Sequence, residues 1–151
     1  MRIVTLFILI CLATVPIGIN ASTKDVPPWM KFDEYSGIPE KAEQRRLKNF
    51  IFQLRKSPGQ IGLIVAYGGE NTCPGEAQVR ASRVRRFLLK NGIHAQRIKV
   101  VDAGYQREWR ICLFIGAADS PPLTSQSLNS YDGHLDVSEV KTLHSCKGLK
   151  W

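Results

Sequence analysis

Residues 61–67, Ile-Gly-Leu-Ile-Val-Ala-Tyr, contain no charged side chain and no polar one before the tyrosine hydroxyl. Such a run is too short for a buried helix and fits a strand. A strand without a polar face has to be covered on both sides. Helical periods flank it. Upstream, Leu47, Phe50, Ile51 and Leu54 recur at i, i+3, i+4 and i+7, behind Pro39, Glu40 and Glu43 and ahead of Pro58-Gly59. Proline and acids suit the start of a helix, and Pro-Gly stops one, so a helix is expected over 39–56. Downstream, Ala77, Ala81, Val84 and Leu88 make one narrow apolar stripe, with Arg80, Arg83, Arg86 and Lys90 on a neighbouring face. This second helix is expected over 74–91, closed by Gly92 as a left-handed cap.

Alternating aromatic and polar residues over 29–35 read as a short first strand, with a turn at Ser36-Gly37. Residues 98–101 and 109–115 read as two more strands, joined through Asp-Ala-Gly-Tyr-Gln-Arg-Glu as a hairpin, for which Gly104 is suited. The resulting order, β-α-β-α-β-β, predicts an α/β fold of the α+β sandwich kind, a mixed sheet with two helices packed on it. Residues 29–118 form the expected domain. Residues 22–28 are a Pro-containing linker. Residues 119–151 are a polar extension whose last part fits a short helix or strand equally well.

The first 21 residues carry Arg2, an apolar run over 3–15 and the small residue Ala21 after Ile19-Asn20, the layout of a secretory signal peptide. The run is shorter than the roughly 20 residues that a spanning helix needs. The expected protein is therefore exported, without a transmembrane segment once the signal is removed. Beyond the signal stand Cys73, Cys112 and Cys146. In an oxidising compartment an odd number suggests one disulfide and one buried thiol. Cys112 alternates with Ile111 and Leu113 in an apolar strand, which leaves Cys73 and Cys146 as the expected bridge.

The formal net charge of +8 favours anionic partners: nucleic acid, envelope polymers or lipid headgroups. Strand, Gly68-Gly69, then helix also suggests a phosphate loop, but the chemistry is missing. No lysine follows the glycines to neutralise phosphate, no Gly-Lys-[Ser/Thr] ends the loop, and the glycines are not spaced as G-x-G-x-x-G. No nucleotide is expected. Gly68-Gly69 then reads as a strand-to-helix turn needing positive φ. His94 has no acid or nucleophile near it in sequence. His144-x-Cys146 with Cys73 lacks the paired close spacing of a zinc site. Asp33, Glu34 and Asp102 read as strand-end and turn residues. Neither catalysis nor a cofactor is expected.

The sequence from Arg80 to Ile98 follows a longer pattern. Arg80, Ala81, Val84, Phe87, Leu88, Gly92, Ile93, Arg97 and Ile98 fall in register with the second helix and following strand of OmpA-like C-terminal domains. The resemblance covers about residues 30–116. It implies a peptidoglycan-binding protein of the periplasm or cell envelope, in which an arginine and an aspartate hold the diaminopimelate group of the stem peptide. Arg80 falls on the arginine. Gly69 falls on the aspartate, because Ala-Tyr-Gly-Gly stands where the family has Gly-His-Thr-Asp. The family's late Asn-Arg-Arg stretch is also absent. Glu70 is the nearby carboxylate able to replace the aspartate, so the implied ligand edge is Gly68, Gly69, Glu70 and Arg80. Peptidoglycan or another anionic envelope polymer is the expected partner. The alternatives are a basic module for nucleic acid or another polyanion, using Arg80, Arg83, Arg86 and Lys90, and an interaction scaffold that has lost its ligand.

Overall fold

The computed structural model describes residues 29–73, 75–123, 134–135 and 141–142. The expected signal peptide, the linker and Cys146 lie outside these residues. Four long strands and two helices form the domain: β1 (Met30–Tyr35), α1 (Glu40–Lys56), β2 (Gln60–Gly68), α2 (Glu76–Lys90), β4 (Ile98–Gln106) and β5 (Arg110–Ala117). A two-residue strand, β3 (Asn71–Thr72), stands between β2 and α2. Two more come from the C-terminal extension, β6 (His134–Leu135) and β7 (Lys141–Thr142). The α+β class and the element order are those expected.

The sheet runs β1-β5-β2-β4-β6. β2 pairs parallel with β4 and antiparallel with β5, so the apolar run lies at the centre of the sheet. Both of its faces are used. Ile64 and Ala66 join Ile111, Leu113 and Ile115 under the helices, against Leu47, Phe50, Leu54, Ala81, Val84 and Leu88. On the opposite face Leu63, Val65 and Tyr67 cluster with Cys112 and Phe114, against Trp29 and Leu123. Trp29 is fixed by its indole N–H, which donates to the Pro121 carbonyl at 2.7 Å.

The expected hairpin between the last two long strands does not form. β4 and β5 flank β2 on its two sides, so the connection after Gln106 crosses the end of β2. Residues 102–106 of the stretch read as that hairpin's loop instead prolong β4. Gly104, at φ 83°, takes up an irregularity between the pairs Ala66–Asp102 and Gly68–Tyr105. A parallel crossover returns β4 beside β2, whose other edge is left for β5. A turn signal in sequence does not report which edge is open.

The helix ends follow from local chemistry. Pro39 is extended at φ −62° and offers its carbonyl to the amides of Ala42 and Glu43. α2 starts at Glu76, two residues later than expected, behind the left-handed Gly75. It ends as expected at Gly92, φ 81°, with the amide of buried Ile93 turned back to the Leu88 carbonyl at 3.1 Å. Arg97 closes the other helix. Its Nη2 donates to the carbonyls of Leu54, Ser57 and Gln60 at 2.7, 2.9 and 2.7 Å, and its Nε to Gln60 at 2.9 Å. The three groups lie at and just beyond the negative end of α1.

Candidate functional site

The parallel pair β2–β4 ends where Gly68, Gly69 and Glu70 begin, and ligands of open α/β sheets bind beyond such carboxyl ends. Three segments meet there: the chain after β2, the first two turns of α2 and the connection from β4 to β5. The connection is held in place by the Glu70 amide, which donates to the Arg107 carbonyl at 3.2 Å. The Ser36 hydroxyl also holds it, donating to Glu108 Oε2 at 3.2 Å.

Gly68 and Gly69 do not take positive φ, contrary to expectation. Close approach is what requires them. A Cβ on Gly68 would lie 2.8 Å from the Tyr105 ring, and one on Gly69 would lie 3.1 Å from the Trp109 amide nitrogen. The place that the resemblance assigns to an aspartate therefore lies against the Trp109 backbone, where a side chain would be tightly packed.

The Trp109 ring packs against Arg80, whose guanidinium carbon lies 3.8 Å from the ring centroid. The Arg80 side chain, 16 % exposed, also donates from Nε at 2.9 Å and Nη2 at 2.6 Å to Glu76 Oε1. The second oxygen of Glu76 accepts the hydroxyl of buried Thr72. Thr72, Glu76, Arg80 and Trp109 thus form one continuous polar cluster at the sheet edge, combining a charge-assisted pair with a cation–π contact. Glu70 is half-buried beside it. Arg80, Gly68, Gly69 and Glu70 lie at the same edge. The anion that pairs with Arg80 here is Glu76, which sequence reasoning missed. Its spacing of four residues on one helix is the signal that could have found it. Nothing in sequence ties Trp109 to Arg80.

The C-terminal extension reaches the same place. β7 pairs parallel with β3 through Asn71–Lys141 and Thr72–Thr142, and β6 pairs with the end of β4 through Tyr105–Leu135 and Gln106–His134. The Gln106 side chain is 3 % exposed, and neither end of its amide has a hydrogen-bond partner among the described residues. Cys73 is buried, and Cys146, its expected partner, lies outside the described residues. Cys112 is free and buried, and burial pushes its thiol up to about 11.

Arg83, one of the four cations named for a polyanion site, is also tied. Its Nη2 donates at 2.5 Å to Glu43, which accepts the Tyr35 hydroxyl at 3.0 Å. Burial and the Glu43 charge push the Tyr35 phenol well above its ordinary range. Arg86 and Lys90 remain exposed. Asp33 pairs with Arg46, and Asp102 accepts the Gly104 amide at 3.1 Å; both lie inside strands, β1 and β4, and not at the strand ends or turns expected. Glu34 lies beside Lys31, whose hydrogen bond holds the Glu34 carboxyl below its usual range. Among the described residues no three His, Cys, Asp or Glu side chains come together as metal ligands, and no helix is long and apolar enough to cross a membrane. No family model matches the chain, and no curated protein matches it either.

Proposed function

We propose that the chain is an exported, non-catalytic component of the bacterial cell envelope, whose reduced OmpA-like domain binds the stem peptide of peptidoglycan at the carboxyl edge of β2 and β4. The observation that carries this reading is the Glu76–Arg80 pair stacked on Trp109 at that edge. A diaminopimelate centre presents a carboxylate and an ammonium together. A paired arginine and glutamate can exchange partners with it, the carboxylate going to Arg80 and the ammonium to Glu76. Glu76 then takes the part of the aspartate whose place Gly69 occupies.

A second reading is favoured by the burial of the same pair. Arg80 grips Glu76 as a structural clasp, and the domain is an interaction scaffold without a ligand. Pull-down of the full chain with diaminopimelate-type and lysine-type peptidoglycan separates the two. Ligand binding predicts retention on the diaminopimelate type at high salt. It also predicts a loss of about tenfold or more for Arg80→Ala, from one charge-assisted contact of about 1.5–3 kcal/mol. Arg86→Ala, on the exposed face, should change binding little. No retention of the parent chain, with Arg80→Ala only lowering thermal stability, leaves the scaffold. Equal losses for both arginines point to a polyanion module, whose binding falls steeply with salt.

A further inference from the structure

The outward side of the helix layer carries charge that the sheet edge does not use. On α1, Lys41, Arg45, Lys48, Phe52 and Lys56 recur at spacings of four, three, four and four, and all are exposed. This stripe lies opposite Leu47, Phe50, Ile51 and Leu54, which face the sheet. Arg86 and Lys90 form the corresponding exposed line on α2. Both helices pack on one face of the sheet, so the two lines point the same way.

The field of these cations is not cancelled. Residues 44–56 and 77–90 contain no acidic side chain. The helices' three acids are Glu40, Glu43 and Glu76, of which Glu43 and Glu76 are buried and paired with Arg83 and Arg80. Of the exposed acids, Glu34 pairs with Lys31 on β1, Glu40 opens α1, Asp102 lies within β4, and Glu108 and Asp119 lie in connections. Within the stripe, Phe52 is 59 % exposed, and the Lys56 ammonium lies 4.5 Å from its ring centroid. An aromatic ring held in water among cations gains nothing from a polyanion that offers charge alone, such as polyphosphate. A lipid surface rewards both, taking cations at the headgroups and the ring at the apolar boundary.

We infer that the outer face of α1 and α2 docks on an anionic lipid surface, with Lys41, Arg45, Lys48, Lys56, Arg86 and Lys90 at the phosphates and Phe52 entering the interface. This inference is independent of ligand binding at Arg80. Co-sedimentation of the full chain with vesicles of phosphatidylglycerol and phosphatidylcholine, against phosphatidylcholine alone, tests it. Binding should favour the anionic vesicles and decline with salt. Lys48→Gln should weaken it about fivefold, and Lys48→Gln with Lys56→Gln about 25-fold. Phe52→Ala should weaken it about threefold or more. The thermal melt of each variant should match that of the parent, because all three side chains are exposed. Arg80→Ala should leave vesicle binding unchanged. Equal binding to both vesicle types would overturn the inference, since an apolar segment such as residues 3–15 would then carry it. So would an unchanged Phe52→Ala together with full competition by soluble polyphosphate, which would make the face a polymer site.

Discussion

Arg97 is the residue whose removal should cost this fold most for a side chain outside the core. Its guanidinium is half-buried and bonds the Leu54, Ser57 and Gln60 carbonyls, joining the end of α1 and the start of β2 to the turn before β4. A cation at a partly buried helix C-terminus contributes up to about 2 kcal/mol. Hydrogen bonds from a charged donor are worth about 1.5–3 kcal/mol each while water is excluded. The four donor–acceptor contacts cannot all count in full, because the Ser57 and Gln60 carbonyls lie near the surface and take up water once the side chain is gone. The loss expected for Arg97→Ala is therefore about 3 kcal/mol, or roughly 6–12 °C in Tm for a chain of this size. Arg97→Lys keeps the charge near the helix end but reaches fewer carbonyls, and should recover about half. Urea unfolding at constant m-value, with the thermal melt beside it, measures both variants. A loss for Arg97→Ala below about 0.5 kcal/mol would refute the reasoning, because water would then be serving these carbonyls as well as the guanidinium does.

Gly62→Ala should destabilise by about 1–3 kcal/mol in the same unfolding assay, since the added Cβ would lie 2.8 Å from Phe50 and 3.1 Å from Leu54, both without room to move. In exported protein, mass mapping should find Cys73 linked to Cys146. Iodoacetamide at pH 8 should leave Cys112 unmodified until the chain is unfolded, because its thiol is buried and pushed up to about 11. Alkylation of native Cys112 at the rate of an exposed thiol would contradict the placement of β5 between β1 and β2.

The sequence alone determined the elements. A charge-free run over 61–67 admits only a strand with both faces covered, and it lies at the centre of the sheet with every residue buried. Helical spacing in α1 and α2, with Pro39 before one and Gly92 after the other, located both helices within two residues. These are local consequences of backbone geometry and solvent exposure, each visible within a few turns of chain. Tertiary structure decided what depends on segments far apart. Which edge of β2 receives β4 and which receives β5 is set by crossover connection and packing, so a stretch with a hairpin's turn chemistry became the end of a strand. The glycines after β2 are needed because Tyr105 and Trp109 arrive from about 40 residues downstream. Arg80 could be placed on a helix flank from its spacing, but its environment could not. Glu76 lies a turn away on the same helix, whereas Trp109 arrives only when the β4–β5 connection crosses the sheet edge. A side chain's position follows from local period, whereas the charge and ring it meets follow from topology.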